Sequence, residues 1–241
     1  MRLSEQPLVD ASLIKRRNRF VAEVRLVDGS ETIAHVPNTG RMGELMLPGA
    51  ALRLSFNPAP NRKTDYTLLA VSYQDRWVCI DATMANRLAY EYFMSLPEIN
   101  DLRREVTRGD SRFDLAETFD GHPGAIEVKS VNLVVKCGGR ACACFPDAPT
   151  ARGRKHLRSL IDGVRAGYAD GLCFVVQRED AACVISNEAT DPEFAALLRE
   201  GISAGLRVTA LRCQVTRDEI SITGELPVDA FASNKGMVKR I

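Results

Sequence analysis

The chain has 241 residues, 45% hydrophobic and 26% charged, so it can bury a sizeable core and is not compositionally disordered. Its formal net charge of +1 excludes a protein that is basic all over, and any polyanion must be met by local patches. No run nears the roughly eighteen apolar residues of a membrane helix. Met1 to Phe20 mixes Arg2, Lys15, Arg16, Arg17 and Arg19 without a continuous apolar core, so the expectation is a cytoplasmic protein with no secretory leader or membrane partner. Its seven cysteines are then mostly reduced, and an odd number cannot pair completely.

Residues 11–80 read as short strands parted by turns: 19–27, 31–36, 51–56 and 67–73, with 57–64 as an exposed loop. Strands at this spacing suggest a small barrel over residues 1–80. That segment holds 11 Lys+Arg against 8 Asp+Glu, net +3, too small an excess to assign a function. Its densest basic run, Ile14-Lys-Arg-Arg-Asn-Arg19, lies beside Phe20. Such a run either tracks a nucleic-acid backbone, with the aromatic ring for stacking, or is a solvated face.

From 83 to 96 the apolar positions Ala85, Leu88, Ala89, Tyr92, Phe93 and Leu96 take helical spacing, ended by Pro97. The domain boundary is placed just before this helix, near Asp81, giving a second domain over residues 81–241. Strands near 104–108, Phe113 and Glu127 follow, then a basic helix with Leu157, Leu160, Ile161 and Val164 on one face, a strand at 172–177, a helix at 192–204 and a strand at 207–215. That order suits an α/β domain with a mixed central sheet.

The chemistry concentrates in this second domain. Asp114 sits on a short strand, and thirteen residues later Glu127-Val-Lys129 lies on a strand whose alternation puts Glu127 and Lys129 on one face. If the two strands form a hairpin, both carboxylates can share one Mg²⁺ or Mn²⁺, which prefers few carboxylates and keeps several waters. Lys129 can then orient water and offset charge on a phosphate. The plain alternative is a polar strand face in solvent. Arg152, Lys155, His156 and Arg158 crowd the start of the basic helix, where free N–H groups and cations favour phosphate. Cys137, Cys142 and Cys144 lack paired zinc-ligand spacing and read as a loop with incidental thiols, so no zinc is expected. No phosphate-binding glycine loop occurs, so no nucleotide cofactor is expected either, and no serine sits in a nucleophile elbow.

Pro37-Asn-Thr-Gly40, Asn86-Arg-Leu88, Ser111-Arg-Phe-Asp114, Glu127-Val-Lys-Ser-Val131 and Phe145-Pro-Asp-Ala148, with Arg152-Gly153 and Lys155-His-Leu157, form a series that resembles the sugar fermentation stimulation protein A family over residues 10–228. The resemblance implies an N-terminal OB-type barrel and a C-terminal domain of the PD-(D/E)XK nuclease fold. It also implies DNA as partner. Asp114, Glu127 and Lys129 match the nuclease motif by position, and Glu91 on the first helix or Glu105 is a candidate for a further metal-binding acid. Lys15, Arg16, Arg17, Arg19, Arg152, Lys155 and His156 are the candidate DNA contacts. Two functions remain open: a metal-dependent DNA nuclease, and a non-cleaving, largely non-specific DNA-binding regulatory factor linked to sugar metabolism.

Overall fold

The computed structural model describes residues 1–232 and Asn234; the remaining residues of the expected 81–241 domain lie outside these. Six strands come first: β1 (Leu8–Asn18), β2 (Val21–Leu26), β3 (Glu31–His35), β4 (Ala51–Phe56), β5 (Tyr66–Tyr73) and β6 (Arg76–Cys79). They are ordered β3-β2-β1-β4-β5-β6, and a parallel pairing of β3 with β5 closes the first five into a barrel. Leu13, Val24, Leu52, Leu54 and Leu68 fill its interior. The expected first strand at 19–27 is shorter, and β1 precedes it. Ala11 and Leu13 on β1 face inward, but Lys15, Arg16 and Arg17 then break the alternation that would have announced a strand.

β5 is covered on both sides. Leu68 and Val71 enter the barrel, while Leu69 and Ala70 join Cys79, Met84, Leu88, Cys173, Val175 and Leu211 in a second core that spans both halves of the chain. The barrel therefore rests on the following domain through buried apolar surface.

That domain begins with α1 (Ala82–Met94), capped by the Asp81 carboxylate, which accepts from Thr83 N–H. β7 (Ile99–Arg108), β8 (Ser111–Phe119), β9 (His122–Val131), β10 (Val134–Cys137) and β11 (Arg140–Phe145) lead to α2 (Ala151–Arg165). β12 (Gly171–Val176), β13 (Cys183–Ser186), α3 (Pro192–Ser203), β14 (Arg207–Val215), β15 (Ile220–Glu225) and β16 (Val228–Asp229) complete it. The main sheet runs β15-β14-β12-β9-β8-β7, with β12 parallel to β9 and β14 and the other pairings antiparallel. It is the mixed sheet expected. α1 packs on one face, whereas Leu157, Leu160 and Ile161 of α2 and Phe194 and Leu198 of α3 cover the other. Among the described residues no helix is long and apolar enough to cross a membrane.

The cysteine-bearing segment is not a loop. It is the β10–β11 hairpin of a smaller sheet, in which Cys142 lies opposite Cys183 of β13, and only Gly138 and Gly139 supply the turn. α2 is capped by Thr150, whose hydroxyl accepts from Gly153 N–H at 2.9 Å. A Cβ on Gly153 would lie 2.7 Å from Thr150 Cγ2, so a side chain there would make the threonine cap shift.

A hydrogen-bonded junction fixes the barrel to this domain. The Arg178 guanidinium, 1% exposed, donates to Asn132 O at 2.8 Å and to both Asp180 oxygens, and Arg76 of β6 reaches the same carboxylate at 3.0 Å. Asn132 donates to Cys79 O and accepts from Asn38, and Gln177 donates to Asp81 O. Burial pushes the Asp180 carboxyl up, but hydrogen bonds and charge from Arg178, with help from Arg76, outweigh it and hold the carboxyl below the ordinary range. Ionised Asp180 thus contributes stability above its unfolded pKa, and this is lost as pH falls through the lowered folded value. Asp180→Asn is expected to lower unfolding free energy by about 1–3 kcal/mol near neutral pH. In urea titrations at stepped pH, the gap to wild type should close below about pH 3.9. A gap independent of pH would contradict this role.

Candidate functional site

β8 and β9 form the expected hairpin across Asp120-Gly121, with pairing running from Phe119 opposite His122 to Leu115 opposite Ile126. There the ladder stops. Phe113 and Leu115 should share a face, yet Phe113 enters the core under α2 and Leu115 the core under α1, so β8 turns over at Asp114. The side chain of Asp114 takes up the hydrogen bond the ladder leaves: Oδ2 accepts from Val128 N–H at 2.8 Å, and Oδ1 accepts from Asn86 of α1 at 2.7 Å.

Glu127 extends toward α2. Its Oε1 contacts His156 Nδ1 and accepts from Lys129 Nζ at 2.5 Å. Its Oε2 is buried and has no hydrogen-bond partner among the described residues. The Glu127 and Lys129 side chains are only 5% and 14% exposed, so the site lies at depth. Burial raises the Asp114 pKa, and the negative charge of Glu127 raises it further against the opposing Val128 N–H, Lys129 and Asn86. Burial pushes Glu127 the same way, but the His156 hydrogen bond and Lys129 overcome it, leaving Glu127 more acidic than usual. The arrangement is one carboxylate held below the ordinary range beside a second whose charge it disfavours, a pairing that a cation would relieve.

The other expected site residues separate into groups. Glu105 stands across from Asp114, between Arg104 and Val106, which pair with Leu115 and Phe113. Its carboxylate is engaged by Arg112 at 2.6 Å and faces solvent. Glu91 is exposed on α1, and the α1 residue that reaches Asp114 is Asn86. His156, expected among the phosphate contacts, is buried behind Glu127 with its ring 5.9 Å from that of Phe113. Lys155 donates to Asp110 O at 2.9 Å, and Arg152 is exposed at the start of α2 without an ion pair among the described residues.

In the barrel, Lys15 and Arg17 share Glu23. Arg16 differs from its expected role, because its guanidinium is spent on five backbone carbonyls, those of Asn18, Arg19, Asn38, Gly40 and Arg41. Desolvation lowers its pKa despite the nearby Asp147 charge. Arg19 and Arg41 are exposed and make no side-chain hydrogen bond or ion pair among the described residues. They border a cleft of about 900 Å³ between residues 35–42 of the barrel and residues 128–133 and 144–150 of the second domain, with Lys129 among its lining residues.

Sequence reasoning gave no role to Asn86, Asn38 or Asn132. The first two lie inside the motif series, and a polar asparagine beside an apolar helical stripe is itself a signal of a buried partner. Asn132 follows β9 with no pattern of its own.

Two family models span most of the chain: the SfsA N-terminal OB domain matches residues 14–80, and the sugar fermentation stimulation protein RE domain matches residues 81–219. A sugar fermentation stimulation protein homolog from Acetivibrio thermocellus is 42% identical over 232 residues, covering 93% of this chain and 97% of its own. Another from Geobacter sulfurreducens is 42% identical over 231 residues, covering 92% and 97%. Among solved structures, Pyrococcus furiosus SfsA in complex with Ca²⁺ superposes with a TM-score of 0.81 at 29% identity, covering 95% of this chain and 99% of that one. The closed five-stranded barrel is accordingly an OB domain, and the chain belongs to the sugar fermentation stimulation protein family.

Proposed function

We propose that this protein is a DNA nuclease of the PD-(D/E)XK type in which Asp114 and Glu127 hold Mg²⁺ or Mn²⁺ and Lys129 works beside the scissile phosphate. The observation that carries this reading is the buried Glu127 Oε2, unpaired among the described residues, next to a second, half-buried carboxylate whose ionisation Glu127 opposes. A desolvated, unpaired oxygen costs about 1–3 kcal/mol. A cation offsets that cost and the repulsion together. The Pyrococcus furiosus relative was solved in complex with Ca²⁺, another hard ion that takes oxygen ligands, and this supports the same chemistry here.

When bound, the cation supplies Lewis-acid charge at the phosphate and makes water more acidic. The chain's own residues do the positioning. Asn86 and the Val128 amide fix Asp114; His156 fixes Glu127. Lys129 Nζ, already aimed at Glu127, is placed to orient a water and to offset charge on the phosphate oxygens in the transition state. Arg19, Arg41 and Arg152, free of ion pairs among the described residues, supply backbone attraction for DNA. The second reading, a factor that binds DNA without cutting, is favoured by the Lys129–Glu127 ion pair, which balances one carboxylate without a metal.

Lys129→Ala is expected to lower Mn²⁺-dependent cleavage on the order of 10²-fold, about 3 kcal/mol of transition-state stabilisation, with metal and DNA affinities within a few-fold of wild type. Wild type that cuts neither single-stranded, duplex nor branched DNA with Mn²⁺ would leave only the binding reading. By calorimetry, Asp114→Asn should weaken Mn²⁺ binding by more than about tenfold; equal affinity would remove the site. Replacing Arg19, Arg41 and Arg152 together with alanine should flatten log K against log salt by about one unit per lost phosphate contact. An unchanged slope would put the DNA elsewhere.

A further inference from the structure

The cleft beside Lys129 has a built rim. Arg16 donates to the carbonyls of Asn18 and Arg19 in the β1–β2 turn and to those of Asn38, Gly40 and Arg41 in the loop after β3, so one guanidinium ties the two segments together. The far wall is tied to the same loop, because Asp147 Oδ2 accepts from Met42 N–H at 2.7 Å. Held on this frame, Phe20 is 50% exposed and lines the cleft, flanked by Arg19 and Arg41. A solvent-facing ring that shares a cleft with two exposed arginines, neither ion-paired among the described residues, is the combination that stacks a base while holding nearby phosphates.

From these features we infer that the cleft is a binding site for single-stranded nucleic acid, with Phe20 as the stacking platform at its mouth and Lys129 at its floor. Bases in a continuous duplex are stacked on one another and offer no face to Phe20. The floor imposes the same selection, since the Lys129 side chain is 14% exposed and a phosphate must descend into a cleft of about 900 Å³ to reach it. One strand fits that space and a paired rod does not. This assigns the substrate class of the nuclease proposed above and rests on that reading for the position of the scissile phosphate; binding itself rests on the rim and the cleft.

The test uses the full chain and a fluorescent 12-nucleotide DNA of mixed sequence, single-stranded or as a blunt duplex, with anisotropy measured in EDTA so that no cleavage intervenes. The single strand should bind at least about tenfold more tightly. Phe20→Ala should weaken single-strand binding roughly 5- to 150-fold, the range of one base–aromatic stack, with duplex binding unchanged and Phe20→Trp close to wild type. Equal affinity for the two forms, or a Phe20→Ala protein that binds the single strand as wild type does, overturns the inference. Adding Mn²⁺ separates it from the nuclease reading. Phe20-dependent single-strand binding without cleavage sinks the nuclease and leaves the cleft, whereas equal cleavage of both forms sinks the cleft and leaves the nuclease.

Discussion

The hydrogen bond from Val128 N–H to the Asp114 carboxylate is the contact on which the site depends. β8 and β9 part after Leu115 and Ile126, and without another acceptor the Val128 amide would be left unpaired inside the protein. By supplying that acceptor, Asp114 lets β8 turn over, sends Phe113 beneath α2 against His156, and stays close enough to Glu127 for the two charges to oppose each other. A strand pair that separates while the Val128 amide keeps an acceptor brings two acidic side chains together at the parting, which an unbroken ladder could not do.

β9 then carries the site into the junction between the domains. Five residues beyond Glu127, Asn132 bridges Asn38 and Cys79 of the barrel, and its carbonyl accepts from the buried Arg178. Buried polar networks are costly unless every member is paired, and where they are paired they specify one arrangement over others. The barrel rim and Lys129 are therefore registered to each other through a few residues of one strand. The shared apolar core around Leu69, Ala70 and Cys79 supplies the bulk of the burial, and the polar junction supplies the alignment.

Much of this was legible in the sequence where pattern and chemistry coincide. The alternation around Glu127 and Lys129 gave the strand, and the acid–acid–lysine spacing gave the convergence on one site. The expected helices at 83–96 and 192–204 match α1 and α3 to within a residue or two, and the apolar spacing of Leu157, Leu160, Ile161 and Val164 gave α2. The misses share a cause. β1 is hidden because its second half alternates against solvent with Lys15 and Arg17 while Arg16 turns to backbone carbonyls. The β10–β11 hairpin is hidden because alanine and cysteine carry little hydrophobic signal, although they are buried against β13. His156 and Arg16 look like phosphate contacts because a charge run shows no direction, and tertiary packing turned both inward. Asn132 acts through long-range hydrogen bonds, for which a single sequence has no local sign.

The proposal that the Asp114 and Glu127 carboxylates form a cation site is tested directly by anomalous scattering from a crystal soaked in Mn²⁺. The expected result is a peak about 2.1 Å from Glu127 Oε2 and from an oxygen of Asp114, the separation of a small hard cation from its oxygen ligands. A well-ordered crystal at saturating Mn²⁺ with no peak there, and with Lys129 still paired to Glu127, would contradict it.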